Sequence, residues 1–99
     1  MIKVFSLPYG DLASRTLAVP FRQMLETAFI EDKSSIIELD LKAVQSISES
    51  YADELFGILV KEFGVETVLD RMKIINADDY VLESIASVID RRATNFVKK

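Results

Sequence analysis

Two hydroxyls and three carboxylates crowd into one run, Ser48-Glu49-Ser50-Tyr51-Ala52-Asp53-Glu54. An apolar helical period starts just behind it, so Ser48 or Ser50 stands where a helix N-cap belongs. A capping serine accepts a hydrogen bond from one of the free backbone N–H groups of the first turn. Ser50-Tyr51-Ala52-Asp53 also fits a capping box with aspartate in place of glutamate. A cap contributes about 0.5–2 kcal/mol, which is reason enough for a serine here. The same free amides and the helix dipole would welcome a phosphate. A phosphoserine, however, brings roughly −1.5 to −2 charge into an acidic turn. No arginine lies close in sequence to offset it. The cap reading of Ser50 therefore takes precedence over a phosphate switch.

A second set of oxygens lies at strand ends. Asp40 closes one apolar run, and Asn76, Asp78 and Asp79 follow another. With Ser50 they would line a crevice at the carboxyl ends of the strands, suited to a small ligand or to magnesium, which takes oxygen ligands. The plainer assignment gives Asp40 to loop amides and Asp78 and Asp79 to a helix start. The spacing matches no metal motif, so no metal site and no cofactor are assigned. The chain has no histidine and no cysteine. The commonest general base, the commonest zinc ligand and the thiolate nucleophile are all missing, and the serines have no histidine partner. Gly10, Gly57 and Gly64 are isolated and form no phosphate loop. The expectation is a protein that is not an enzyme. Tyr51 and Tyr80, at two helix starts, serve either as aromatic contact points or as half-buried packing.

The elements that position these groups follow from periodicity. At 99 residues, 49% apolar and 28% charged, residues 1–99 form one soluble globular domain. Ile2–Leu7 is a strand ended by Pro8 and the turn Tyr9-Gly10, and 11–16 reads as loop. A helix follows, capped by Thr16, with Pro20 in its first turn. Leu17, Phe21, Met24, Leu25, Ala28 and Phe29 are its buried stripe. Ile36–Leu41 is the second strand, with Ile37, Leu39 and Leu41 on one face. Ala43–Ile47 is a turn pinned by Val44 and Ile47. The second helix buries Ala52, Leu55, Phe56, Leu59, Val60 and Phe63 and stops at Gly64. A short helical piece carries Val65, Val68, Leu69 and Met72. Lys73–Ala77 is the third strand. The last helix starts at Asp78 or Asp79 and buries Val81, Leu82, Ile85, Val88 and Ile89, with Phe96 packed down in an extension. The order is β-α-β-α-(short α)-β-α. Right-handed crossovers turn it into an α/β domain, a small parallel or mostly parallel sheet with helices packed on it.

Charge excludes further classes. The net charge is −4, and the basic residues are scattered apart from Arg91-Arg92 and Lys98-Lys99. Those two pairs read as a helix end complementing its dipole and as a solvated tail. No clustered basic face for nucleic acid is expected, and no apolar run is long enough for a membrane span. Met1-Ile2-Lys3-Val4 opens directly on a strand with no signal-peptide pattern, so the expected location is cytoplasmic.

Leu39-Asp40-Leu41, Ala43-Val44 and Ile47-Ser48-Glu49-Ser50-Tyr51-Ala52-Asp53-Glu54-Leu55, with the later Ile75-Asn76, resemble the STAS domain. The similarity is closest to a small, divergent prokaryotic STAS-like group of unknown function, and runs from about Ser14 to Arg92. It is distantly similar to anti-sigma-factor antagonists. In those proteins a serine at the start of the helix after this strand is phosphorylated by a histidine-kinase-like ATPase, which breaks their complex. Ser50 is the matching position. Ser48 stands where they carry aspartate, Tyr51 where they carry glycine, and Glu49 where they often carry a second serine. The hairpin that opens a full STAS domain is missing. The resemblance implies a non-enzymatic regulatory module that binds a signalling protein, such as that ATPase, through Ser48, Glu49, Ser50, Tyr51, Asp53 and Glu54. A sensor of a small ligand or nucleotide using the crevice of Asp40, Asn76 and Asp78, or a self-associating scaffold, are the alternatives. The oligomeric state is not written in the sequence.

Overall fold

The computed structural model describes residues 2–97, with side chains described as far as residue 93. The packing of Phe96 and the Lys98-Lys99 tail lie outside the described residues. In order come β1 (Ile2–Ser6), β2 (Gly10–Leu12), α1 (Arg15–Glu31), β3 (Ile36–Asp40) and β4 (Val44–Ile47). Then follow α2 (Glu49–Ala52), a π-helical turn (Asp53–Gly57), α3 (Ile58–Phe63), α4 (Val65–Arg71), β5 (Met72–Ile75) and α5 (Asp79–Val97). The fold is α/β with parallel pairing throughout. β1, β3 and β5 form one sheet in that order, with Leu39 level with Phe5 on one side and Ile74 on the other.

Two short strands replace stretches expected to be loop and turn. β2 lies inside 10–16 and β4 is most of the supposed turn Ala43–Ile47. They pair in parallel, tied at their ends by Gly10 N–H to the Ala43 carbonyl (2.9 Å) and Ser48 N–H to the Leu12 carbonyl (2.8 Å). Three and four residues are too few to show a period-2 pattern, and their pairing is non-local. Val44 and Ile47 do point into the core.

α1 begins at Arg15 with Ser14, not Thr16, in the cap position, and without a side-chain cap bond. Pro20 therefore sits beyond the first turn, leaving the Thr16 carbonyl without its helical N–H. Ile37, Leu39 and Leu41 of the β3 segment meet Leu25 and Phe29 of α1, Leu55, Phe56 and Leu59, and Val81, Ile85 and Val88 of α5 in one core. Four residues assigned to that core are exposed instead: Leu17, Met24, Leu69 and Leu82. On α5 the inward row is Val81, Ile85, Val88, and Leu82 lies about 100° round the helix from Val81. Gly64, at φ 88°, separates α3 from α4, a conformation open to glycine at no steric cost. Arg71 then fixes the entry to β3. It donates to the carbonyls of Phe29, Asp32 and Ser35, closing the C-terminal turn of α1, and lies 4.7 Å from the Phe29 ring centre.

Candidate functional site

The β2–β4 pair sets the geometry of the turn. It brings Ala13 beside Ser48, whose hydroxyl donates to the Ala13 carbonyl (2.9 Å) and accepts from Tyr51 N–H (3.0 Å). Ser48 has extended backbone angles and is the N-cap of α2. Ser50 is not the cap. It lies exposed within the first turn, and the capping box read from Ser50 to Asp53 does not form. Tyr51 is also displaced from the assigned surface. Only 1% of it is exposed, and burial pushes its phenol above the ordinary tyrosine range. It is a core residue, with its hydroxyl unpaired among the described residues. Tyr80 is exposed and donates to the Gln45 carbonyl, closing the outer side of β4.

Behind Ser50 the helix changes pitch. Ile58 N–H bonds to the Asp53 carbonyl, five residues back, in the π-turn. Such single π-turns occur mostly at functional positions. The turn presents Asp53 to α5 and Glu54 to α1. Arg92 grips Asp53 with two bonds of 2.8 Å, from Nε to Oδ1 and from Nη2 to Oδ2. Arg15 Nη1 reaches Asp53 Oδ2 at 3.3 Å and Glu54 Oε1 at 3.0 Å. Arg22 Nε donates to Glu54 Oε2 (2.9 Å) and its Nη1 to Glu26 (2.7 Å). Arg91 pairs with Glu49. The Arg92 guanidinium, and after it Arg15, holds the Asp53 carboxyl below the usual carboxylate range. Gly57 makes the grip of Arg92 feasible. A Cβ there would stand 2.4 Å from Asp53 Oδ1 and 3.1 Å from Arg92 Cγ.

These side chains surround an open cavity of about 330 Å³ lined by Arg15, Glu49, Ser50, Asp53, Arg91 and Arg92. Three guanidiniums and two carboxylates ring the Ser50 side chain. The absence of any arginine near Ser50 holds along the sequence but fails in space. Arg91 and Arg92, expected only to complement a helix dipole, instead bind the α2 segment. Nothing local could have revealed this, because each arginine comes from 38 or more residues away. The only trace in the sequence is that two adjacent arginines fall mid-helix rather than at its end.

The crevice at the strand ends assembles in part. Asn76 Nδ2 donates to Asp40 Oδ1 (3.1 Å), and Lys42 N–H donates to the same oxygen (2.9 Å). The Lys42 amide first, then Asn76, holds Asp40 below the usual range. Asn76 reaches that position from a left-handed backbone, φ 62°. Ser50 belongs to the other cavity. Asp78 contributes its carbonyl to Leu82 N–H at the start of α5. Among the described residues no three acidic side chains converge as a metal site, and no helix is long and apolar enough to cross a membrane.

A family model described as "STAS-like domain of unknown function (DUF4325)" matches residues 18–82, more than half of the chain. The chain belongs to this family. Neither a curated protein nor a solved structure matches it. In this STAS-like domain the matched stretch holds Asp40, Asn76, Asp78, the whole of Ser48–Glu54 and Arg22. Arg15, Arg91 and Arg92 lie outside it. The acidic turn thus sits within the family region, and the cations around Ser50 come from its flanks.

Proposed function

We propose that this STAS-like domain is a non-enzymatic regulatory module that binds a signalling protein through the surface around Ser50. The observation that carries the reading is the placement of an exposed serine in a cavity ringed by Arg15, Arg91 and Arg92. The surface comprises Glu49 and Ser50 at the rim with Asp53 and Glu54 behind them, and Ser48 shapes it from beneath. A phosphate on Ser50 would meet guanidinium donors on three sides, and Arg pairs with phosphate bidentately. It would compete with Glu49 for Arg91 and with Asp53 for Arg92, and so redraw the charge pattern a partner meets. Ser48 already holds the cap, which leaves Ser50 free for modification. By the resemblance to anti-sigma-factor antagonists, the partner is a histidine-kinase-like ATPase. Neither nucleic acid nor a membrane is a partner on this reading, and the setting is cytoplasmic.

The test is calorimetric titration of an ATPase of that type, encoded beside this chain, into wild type, Ser50→Ala and Ser50→Asp. Wild type and Ser50→Ala should bind alike, because alanine adds no charge. Ser50→Asp should bind at least roughly tenfold more weakly, the effect shrinking as salt rises. Equal binding of all three at low and moderate salt would remove the switch. No binding by wild type would remove the partner.

A further inference from the structure

On the other side of α5 from Arg92 an apolar groove of about 360 Å³ runs between α4 and α5. Val65 and Leu69 line it from α4, and Leu82, Ala86, Ile89 and Ala93 from α5. Leu69 is 57% exposed and Leu82 42%, although both have the side chains of core residues. Exposed apolar surface that gathers into a groove marks an interaction site more often than scattered leucines do. The α5 row alternates large and small: Leu, Ala, Ile, Ala, at steps of four, three and four residues.

We propose that this groove is the contact between two copies of the chain, α5 against α5, antiparallel. The reason is the order of sizes. A two-fold axis beside Ser87 and Val88 brings Leu82 of one copy over Ala93 of the other, and Ala86 over Ile89. Every large side chain then meets a small one, four times over, with a single helix supplying both halves. A parallel arrangement would set Leu82 on Leu82 and Ala86 on Ala86, leaving bumps beside gaps. A different protein would have no need of a row complementary to its own reverse, whereas an isologous interface does. Helices packed this way cross at about 20°, and large-into-small contacts are what interdigitation requires. Leu69 and Val65 widen the contact on each side.

The area fixes the strength. From Leu82 to Ala93 α5 rises about 17 Å, and two helices side by side are about 20 Å across. That places the contact below about 1,200 Å² in total, the class of reversible, weak associations. The dimer therefore dissociates in the micromolar range or above and exchanges freely. It uses a surface separate from the Ser50 cavity, so its existence is independent of the reading given to that cavity.

Sedimentation velocity from about 1 μM to 1 mM tests it, a range chosen for that strength. Wild type should shift from monomer to dimer, and Ala86→Glu should stay monomeric with unchanged helical circular dichroism, since Ala86 is exposed. Leu69→Lys on α4 is the second charged variant. Leu82→Ala and Ala93→Leu should each weaken the dimer roughly tenfold, one by leaving a gap and the other by a clash. Leu82→Ala/Ala93→Leu should recover the wild-type constant, because the large and small positions have merely changed sides. Wild type that is monomeric at 1 mM would overturn the proposal. So would a dimer indifferent to both charged variants, or single-variant defects that the double variant fails to rescue.

Discussion

Ser48 and Ser50 carry the same hydroxyl two positions apart, and their surroundings give them opposite duties. The Ser48 hydroxyl both donates and accepts, to Ala13 and from Tyr51. Removing it uncaps α2 and leaves the Ala13 carbonyl short of a donor. Ser48→Ala is expected to lower unfolding stability by about 1–2 kcal/mol, near the upper range for a lost cap. Ser50 is exposed and inside the helix, so Ser50→Ala should change stability by no more than about 0.5 kcal/mol. Urea unfolding of the two variants checks the contrast, and equal losses would contradict it. The sequence narrowed the cap to these two residues but could not choose between them. The choice depends on Ala13, thirty-five positions earlier, which β2 carries to the turn. Tyr51 shows the same limit. A tyrosine next to polar residues reads as surface, and only the packing around it shows that the ring belongs to the core.

At the scale of elements, legibility follows length and locality. α1, α5, β3 and β5 were readable because each repeats its pattern often enough, or is apolar enough, to stand above its flanks. β2 and β4 were not, since their stability comes from each other across more than thirty residues. The π-turn was invisible for a different reason. Its one extra residue leaves Leu55, Phe56, Leu59 and Val60 buried, as an ordinary α-helical stripe would. What marks it is Gly57, which in an ordinary helix interior would cost up to about 1 kcal/mol relative to alanine. Here that order should reverse. In Gly57→Ala the new methyl would meet Asp53 Oδ1 at 2.4 Å, and Arg92 holds that carboxylate in place. Overpacking of this kind costs about 1–3 kcal/mol, more than the gain in helix propensity. Gly57→Ala is expected to lower the thermal midpoint. In Gly57→Ala/Arg92→Ala the carboxylate is free to swing away and alanine should be tolerated better than in the single variant. A stabilised Gly57→Ala would show that the close approach is not rigid.

Across the whole molecule, the ion pairs join three elements that the apolar core alone leaves free to slide. Arg15 and Arg22 come from α1, Arg92 from α5, and all meet the acids of the helix between them. The coupling to protons runs in two directions. Asp53 has a lowered native pKa, chiefly through its hydrogen bonds from Arg92. Its contribution is therefore present above the unfolded aspartate value, about 3.9, and is lost as pH falls through the lower native value. Glu62 is raised, first by its hydrogen bond to Glu26 and then by burial. Its native state holds the proton more tightly, so its contribution is present at low pH and is lost as pH rises through the native value. The two oppose each other on acidification. Asp53 has the stronger claim on the fold, because its side chain is 20% exposed and gripped by two arginines. Asparagine at 53 keeps the shape but removes the charge and weakens the bonds from Arg92 and Arg15. Asp53→Asn is expected to cost about 1–3 kcal/mol at pH 7, the range for hydrogen bonds to charged groups. The deficit should shrink between about pH 4 and pH 2, as the wild-type carboxylate takes up its own proton. Urea unfolding of both proteins at each half unit of pH measures it. Curves that run parallel down to pH 2 would show that the Asp53–Arg92 pair is not what acid removes.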